Sequence, residues 1–100
     1  MPHDVKYESL PNGKGFCAKY NGRKIGQIDI VTFGFDRLLI ESTYLAPEYA
    51  DTDLCRNLVY CVVNFARRTH RKVLCFCPRA QSIFNRYPEF DDVRMIRVAA

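Results

Sequence analysis

Three things are scarce in this chain, and each scarcity narrows what it is. No apolar run approaches the ~20 residues of a membrane-spanning helix, and the opening stretch MPHDVKYESL holds no apolar segment of the signal-peptide kind. A cytoplasmic chain without membrane contact is the expectation. Histidine is nearly missing: His3 and His70 stand alone, and no second ligand pair accompanies the Cys75-x-Cys77 step at metal-site spacing. No metal is expected. Glycine is absent from the strand-to-helix junction in LAPEYADTDLCRNLVYCVVNFA, where Ala50, Asp51, Thr52 and Asp53 stand instead. Phosphate-holding junctions usually combine glycine with a basic residue, so the ordinary form of such a site is excluded here.

The 100 residues are enough for one domain, spanning 1–100. Five cysteines, at 17, 55, 61, 75 and 77, are an odd count that argues against a disulfide framework. Net charge is +4, and its densest run is RRTHRK, Arg67 to Lys72. That run falls where a long helix should end, so its cations complement the helix dipole. A nucleic-acid surface would need basic residues interleaved with exposed aromatics, and nucleic acid ranks last among the expected partners.

Most of the first half reads as an antiparallel meander. Val5 to Leu10 forms a first strand, ended by Pro11-Asn12-Gly13. Gly15 to Tyr20 and Lys24 to Phe33 flank Asn21-Gly22, a strong two-residue hairpin signal. Gly34-Phe35-Asp36 turns the chain, and Leu38 to Leu45 returns it. Leu54, Leu58, Val62 and Phe65 then recur at helical spacing, predicting a helix over 52–69 with Leu58, Val62 and Phe65 buried on the sheet. The short apolar run Val73 to Cys77 follows as a buried strand, parallel to the one ending at Leu45 through a βαβ crossover. Pro78 opens a second, short helix that runs to about Tyr87, and Asp91 to Val98 is expected as a last edge strand. The fold class is α+β: a layered, mostly antiparallel sheet with a βαβ crossover helix and a second short helix.

From Gly15 to Val93 the chain resembles the small, single-domain branch of the GNAT (GCN5-related) N-acetyltransferases. The segment CPRAQSIFNRYPEFDDV, Cys77 to Val93, is similar to the family pattern of a strand ending in Cys-Pro or Cys-Ser, a short helix, and then Arg, an aromatic or His, and Pro-Glu-aromatic-Asp. The hairpin YNGRKIGQIDI and the APEY before the long helix fit the same pattern. The resemblance implies acetyl-CoA as acyl donor and an amine or protein as acceptor. It also implies a loop before the long helix whose Arg-Gly-x-Gly-like backbone holds the donor's pyrophosphate.

Aligned on APEY, Ala50 occupies the arginine position of that loop, and Asp51 and Asp53 occupy the glycine positions. Two carboxylates repel a pyrophosphate, and they are expected to cap the helix N–H groups themselves. The implied donor-binding set is Leu45, Ala50, Asp51, Asp53, Leu54 and Cys55. The acyl arm is expected against backbone groups near Tyr44 and Leu45. Ser42 stands where the family often carries a histidine. Cys77, at the end of a strand and the start of a helix, is the candidate nucleophilic thiol, and Tyr44 the candidate general acid. For both residues a packing role is the simpler alternative. Arg79 and Arg86 are positioned to meet phosphates or to lie solvated on the second helix. The leading expectation is a GNAT-like domain with a degenerate donor loop and weak or lost activity. The alternatives are an active acetyl-CoA-dependent N-acetyltransferase with an unusual loop, and a non-catalytic protein-interaction module.

Overall fold

A computed structural model describes residues 4–95. Strands β1 (Lys6–Ser9), β2 (Gly15–Tyr20), β3 (Arg23–Phe33) and β4 (Arg37–Leu45) lead into helix α1 (Leu54–Thr69). Strand β5 (Lys72–Cys75) and helix α2 (Pro78–Arg86) follow. The five strands lie in sequence order; β1 to β4 pair antiparallel and β5 joins β4 in parallel. This is the expected mixed sheet with one crossover helix. The Asn21-Gly22 turn takes left-handed backbone at both residues, with φ 51° and 76°, as a tight hairpin matched to strand twist requires.

The apolar stripe of α1 lies on the sheet. Leu54, Leu58, Val59, Val62, Val63 and Ala66 are fully buried, and they meet Ile28, Ile30, Leu38, Ile40 and Val73 in one core. Gly26 lets the helix come close: a Cβ there would meet Leu54 Cδ2 and Leu58 Cδ1, both at 3.1 Å. Phe65 departs from expectation. It is only partly buried, edge-on to Phe16 with ring centroids 6.2 Å apart. Its ring packs at the margin of the core, on the β2 side that carries Phe16.

Helix α1 ends at His70, which adopts φ 56°, and Arg71 N–H donates to Ala66 O at 2.8 Å. This is the reversed turn that closes many helices. The basic run does more than complement the dipole. Arg67 grips Asp92 with two bonds of 2.9 Å and also donates to Glu89 O, while Lys72 Nζ donates to Asp92 O at 2.6 Å. The turn after α2 is thereby tied to the far end of α1.

Two boundaries differ from the sequence reading. Strand β5 stops at Cys75 because Phe76 and Cys77 leave the sheet to become the entry of α2, with Cys77 as its N-cap residue. The last edge strand is also reduced. Asp91 to Val93 form a turn and Arg94 makes a single parallel bridge to Val73, while residues 96–98 of the expected strand lie outside the described residues.

Candidate functional site

The site begins where two strands part. Strands β4 and β5 pair from Arg37 and Lys72 to Ile40 and Cys75, and their last bond is Phe76 N–H to Ile40 O at 3.1 Å. At that level β4 carries an extra residue, Glu41, because Asp29 pairs with Ser42 while Ile30 pairs with Ile40. Such a bulge bends its strand. Beyond it, β4 stays on β3 through Leu45, while the chain after β5 turns into α2. Ala46 N–H points to β3, donating to Ile25 O at 2.8 Å. Strand alternation therefore sets Leu45 N–H on the opposite, open edge.

Cys77 sits at the apex of the cleft. Its Sγ lies 3.3 Å from Thr43 Oγ1. Burial alone would push this thiol up, but the Thr43 hydroxyl and the backbone N–H groups of Ala80, Arg79 and Thr43 outweigh it and hold the thiol below its ordinary value. Cys75, two residues earlier, and Cys55 lack such donors, and burial pushes each to about 11.

Tyr44 lies on the other face. Cross-strand pairing sets Tyr44 against Gln27 and Ser42 against Asp29, on the side away from α1, and Tyr44 is 49% exposed. Ser42 Oγ donates to Asp29 Oδ2 and Gln27 Nε2 to Asp29 Oδ1, each at 2.7 Å. So the residue at the family's histidine position orients a carboxylate. Cys77 and Tyr44 share the cleft but face opposite sides of the sheet.

The loop before α1 differs from expectation in one respect. Asp53 is the N-cap residue, yet neither it nor Asp51 makes a side-chain hydrogen bond among the described residues. The capping oxygen belongs to Thr52: its Oγ1 accepts from Leu54 N–H at 3.3 Å and donates to Tyr49 O at 2.7 Å. The reason is backbone geometry. Asp53 has φ −76° and ψ 7°, outside the extended region that aims an N-cap carboxylate back at the helix amides. The expected self-capping by Asp51 and Asp53 is therefore corrected to capping by Thr52.

Between this loop and α2 runs a groove of about 330 Å³, lined by Leu45, Ala50, Thr52 and Cys55 on one side. Pro78, Arg79, Ser82, Ile83 and Arg86 line the other side. Asp51 and Asp53 are exposed and do not line it. Leu54 turns its side chain into the core over Gly26, which leaves only its backbone for a ligand. Of the six implied donor-binding residues, Leu45, Ala50 and Cys55 thus meet in one groove.

A scan of family models matches residues 15–93 to the GCN5-related N-acetyl-transferase family. The chain belongs to the GCN5-related N-acetyltransferases. Among curated proteins no relative gives a significant match. Sequence reasoning missed Asp29 and Thr43. Both are found only by the β3–β4 register, which the bulge at Glu41 shifts by one residue.

Proposed function

We propose that this domain is an acetyl-CoA-dependent N-acetyltransferase whose donor enters the cleft between β4 and α2. The observation that carries this reading is the open edge of β4 beside an acidified thiol: Leu45 N–H lies on the free side of the strand, and Cys77 closes the apex. The residues present fit such a donor. The groove offers apolar lining from Leu45 and Ile83 and two guanidinium groups, Arg79 and Arg86, that make no ion pair among the described residues. Bound there, acetyl-CoA supplies an acetyl group activated as a thioester.

The chain's own residues bind, orient and move protons. Leu45 N–H holds the acyl arm along the strand edge, while the amides of Tyr44 and Ala46 on either side of it are turned to β3. Cys77 Sγ ionises more readily than an ordinary thiol; as thiolate it would accept the proton that the amine loses while the C–N bond forms, and as thiol it would return that proton to the departing sulfur when the thioester C–S bond breaks. Tyr44, exposed on the other face beside Asp29 and Ser42, presents its hydroxyl to the acceptor side.

A second reading has its own support. The loop holds no glycine, and Asp51 and Asp53 bring negative charge near the α1 N-terminus, which favours weak donor binding and a non-catalytic role. Calorimetric titration with acetyl-CoA, followed by an acetylation assay on a panel of amines, separates the two. Micromolar affinity and turnover that falls in Cys77→Ser support the enzyme. Absent binding that appears only after Ala50→Arg, Asp51→Gly and Asp53→Gly are combined supports the degenerate loop instead.

A further inference from the structure

Helix α2 carries Arg79, Ser82, Ile83 and Arg86 along the wall of the groove that faces the α1 loop. Ile83 is buried, whereas the two arginines and Ser82 are exposed. Several cations in this chain have partners: Lys19 pairs Glu8, Arg23 pairs Glu48, Arg67 pairs Asp92, and Arg56 lies over the Tyr87 ring at 5.5 Å, whereas Arg71 Nε is buried without one among the described residues. The guanidinium groups of Arg79 and Arg86 make no hydrogen bond or ion pair among the described residues. Arg79 also reaches across the groove, where its charge draws the Cys55 thiol partly back down against burial. No carboxylate lines this groove. Two unpaired guanidinium groups facing a cavity free of anionic side chains favour a ligand with more than one negative group.

We propose that Arg79 and Arg86 form the phosphate anchor of the donor site, replacing with side-chain charge the grip that a glycine loop would give through backbone. This rests on the donor reading above and deepens it. Arg79 lies in the first turn of the helix, across the groove from Cys55 and the loop, so it takes the pyrophosphate. Arg86 lies seven residues on, about 10 Å along the helix axis, and takes the ribose 3′-phosphate of the same nucleotide. Each guanidinium is a planar fork of N–H donors, which suits the accepting phosphate oxygens better than a lysine ammonium would. Under this assignment the donor is recognised mainly by its nucleotide end, and a bare pantetheine arm is a poor ligand.

Calorimetry on the full chain with CoA, 3′-dephospho-CoA and pantetheine tests it, with circular dichroism to confirm that each variant is folded. The native chain should bind CoA most tightly, with affinity that falls as salt is raised. Arg79→Ala should weaken both CoA and 3′-dephospho-CoA about tenfold, on the scale of one lost charge-assisted contact. Arg86→Ala should weaken CoA by a similar factor and leave 3′-dephospho-CoA unchanged. Asn85→Ala, one position away and not lining the groove, should change neither. CoA binding that is indifferent to both arginine variants overturns the anchor while leaving the donor reading standing. Failure of the native chain to bind any of the three ligands overturns both.

Discussion

Replacing Thr52 by alanine removes the one side-chain oxygen that, among the described residues, serves the first turn of α1. The hydroxyl makes two contacts at once, accepting from Leu54 N–H at 3.3 Å and donating to Tyr49 O at 2.7 Å. Loss of such a cap costs ~1 kcal/mol, within a usual span of about 0.5–2. The 3.3 Å bond is long, which argues for the lower half of that span. The second contact, at a partly buried carbonyl, adds to it. With an m-value of roughly 1–1.5 kcal/mol per molar for urea on a domain of this size, the midpoint should fall by about 0.7–1 M. The slope should not change, because the buried surface is the same. Urea titration followed by far-ultraviolet circular dichroism reads both quantities. Asp51→Ala and Asp53→Ala are the controls: their carboxylates bond to nothing among the described residues, so each should move the midpoint by less than about 0.3 M, as exposed side chains do. If Asp53→Ala costs as much as Thr52→Ala, the cap belongs to the carboxylate and the geometry argued for this loop is wrong.

Gly26→Ala should lower the melting temperature by several degrees. Its new Cβ would meet Leu54 Cδ2 and Leu58 Cδ1 at 3.1 Å, an overpacking cost of about 1–3 kcal/mol; an unchanged melt would mean that α1 is not seated on β3. Iodoacetamide at neutral pH should label Cys77 ahead of Cys55 and Cys75, because only Cys77 is held below the ordinary thiol value. Thr43→Val should move the inflection of its labelling profile upward, and first labelling at Cys55 or Cys75 would refute the assignment. Those two thiols stay protonated in the fold to about 11, whereas unfolded thiols ionise around their ordinary value of 9.0. Through that window the unfolded chain binds fewer protons, so from these two groups stability should fall as pH rises. A pH series of urea midpoints reads the slope, and a rising midpoint there contradicts it.

The elements themselves were legible from residues close together in the chain. Asn21-Gly22 specifies its hairpin through backbone freedom, Leu54, Leu58 and Val62 specify a helix face through period, and Pro78 specifies the start of α2 by lacking an N–H. A parallel β5 follows from the helix that precedes it. The family match was legible too, since it depends on the order of CPRAQSIFNRYPEFDDV and its neighbours and not on any contact. What the chain order could not decide is which atoms face each other. The bulge at Glu41 shifts register by one residue, and with a two-residue side-chain period such a shift decides which face each later residue takes. That shift brings Thr43 to Cys77 and Ser42 to Asp29. The cap passed from Asp53 to Thr52 because of a backbone angle set where the loop docks, which residue type does not encode. Arg79 and Arg86 read as solvated helix arginines until α2 was set against the α1 loop, where the same two side chains line one groove. Propensity and period act over a few residues of chain. The juxtapositions that make a site act through space, between segments that only packing brings together.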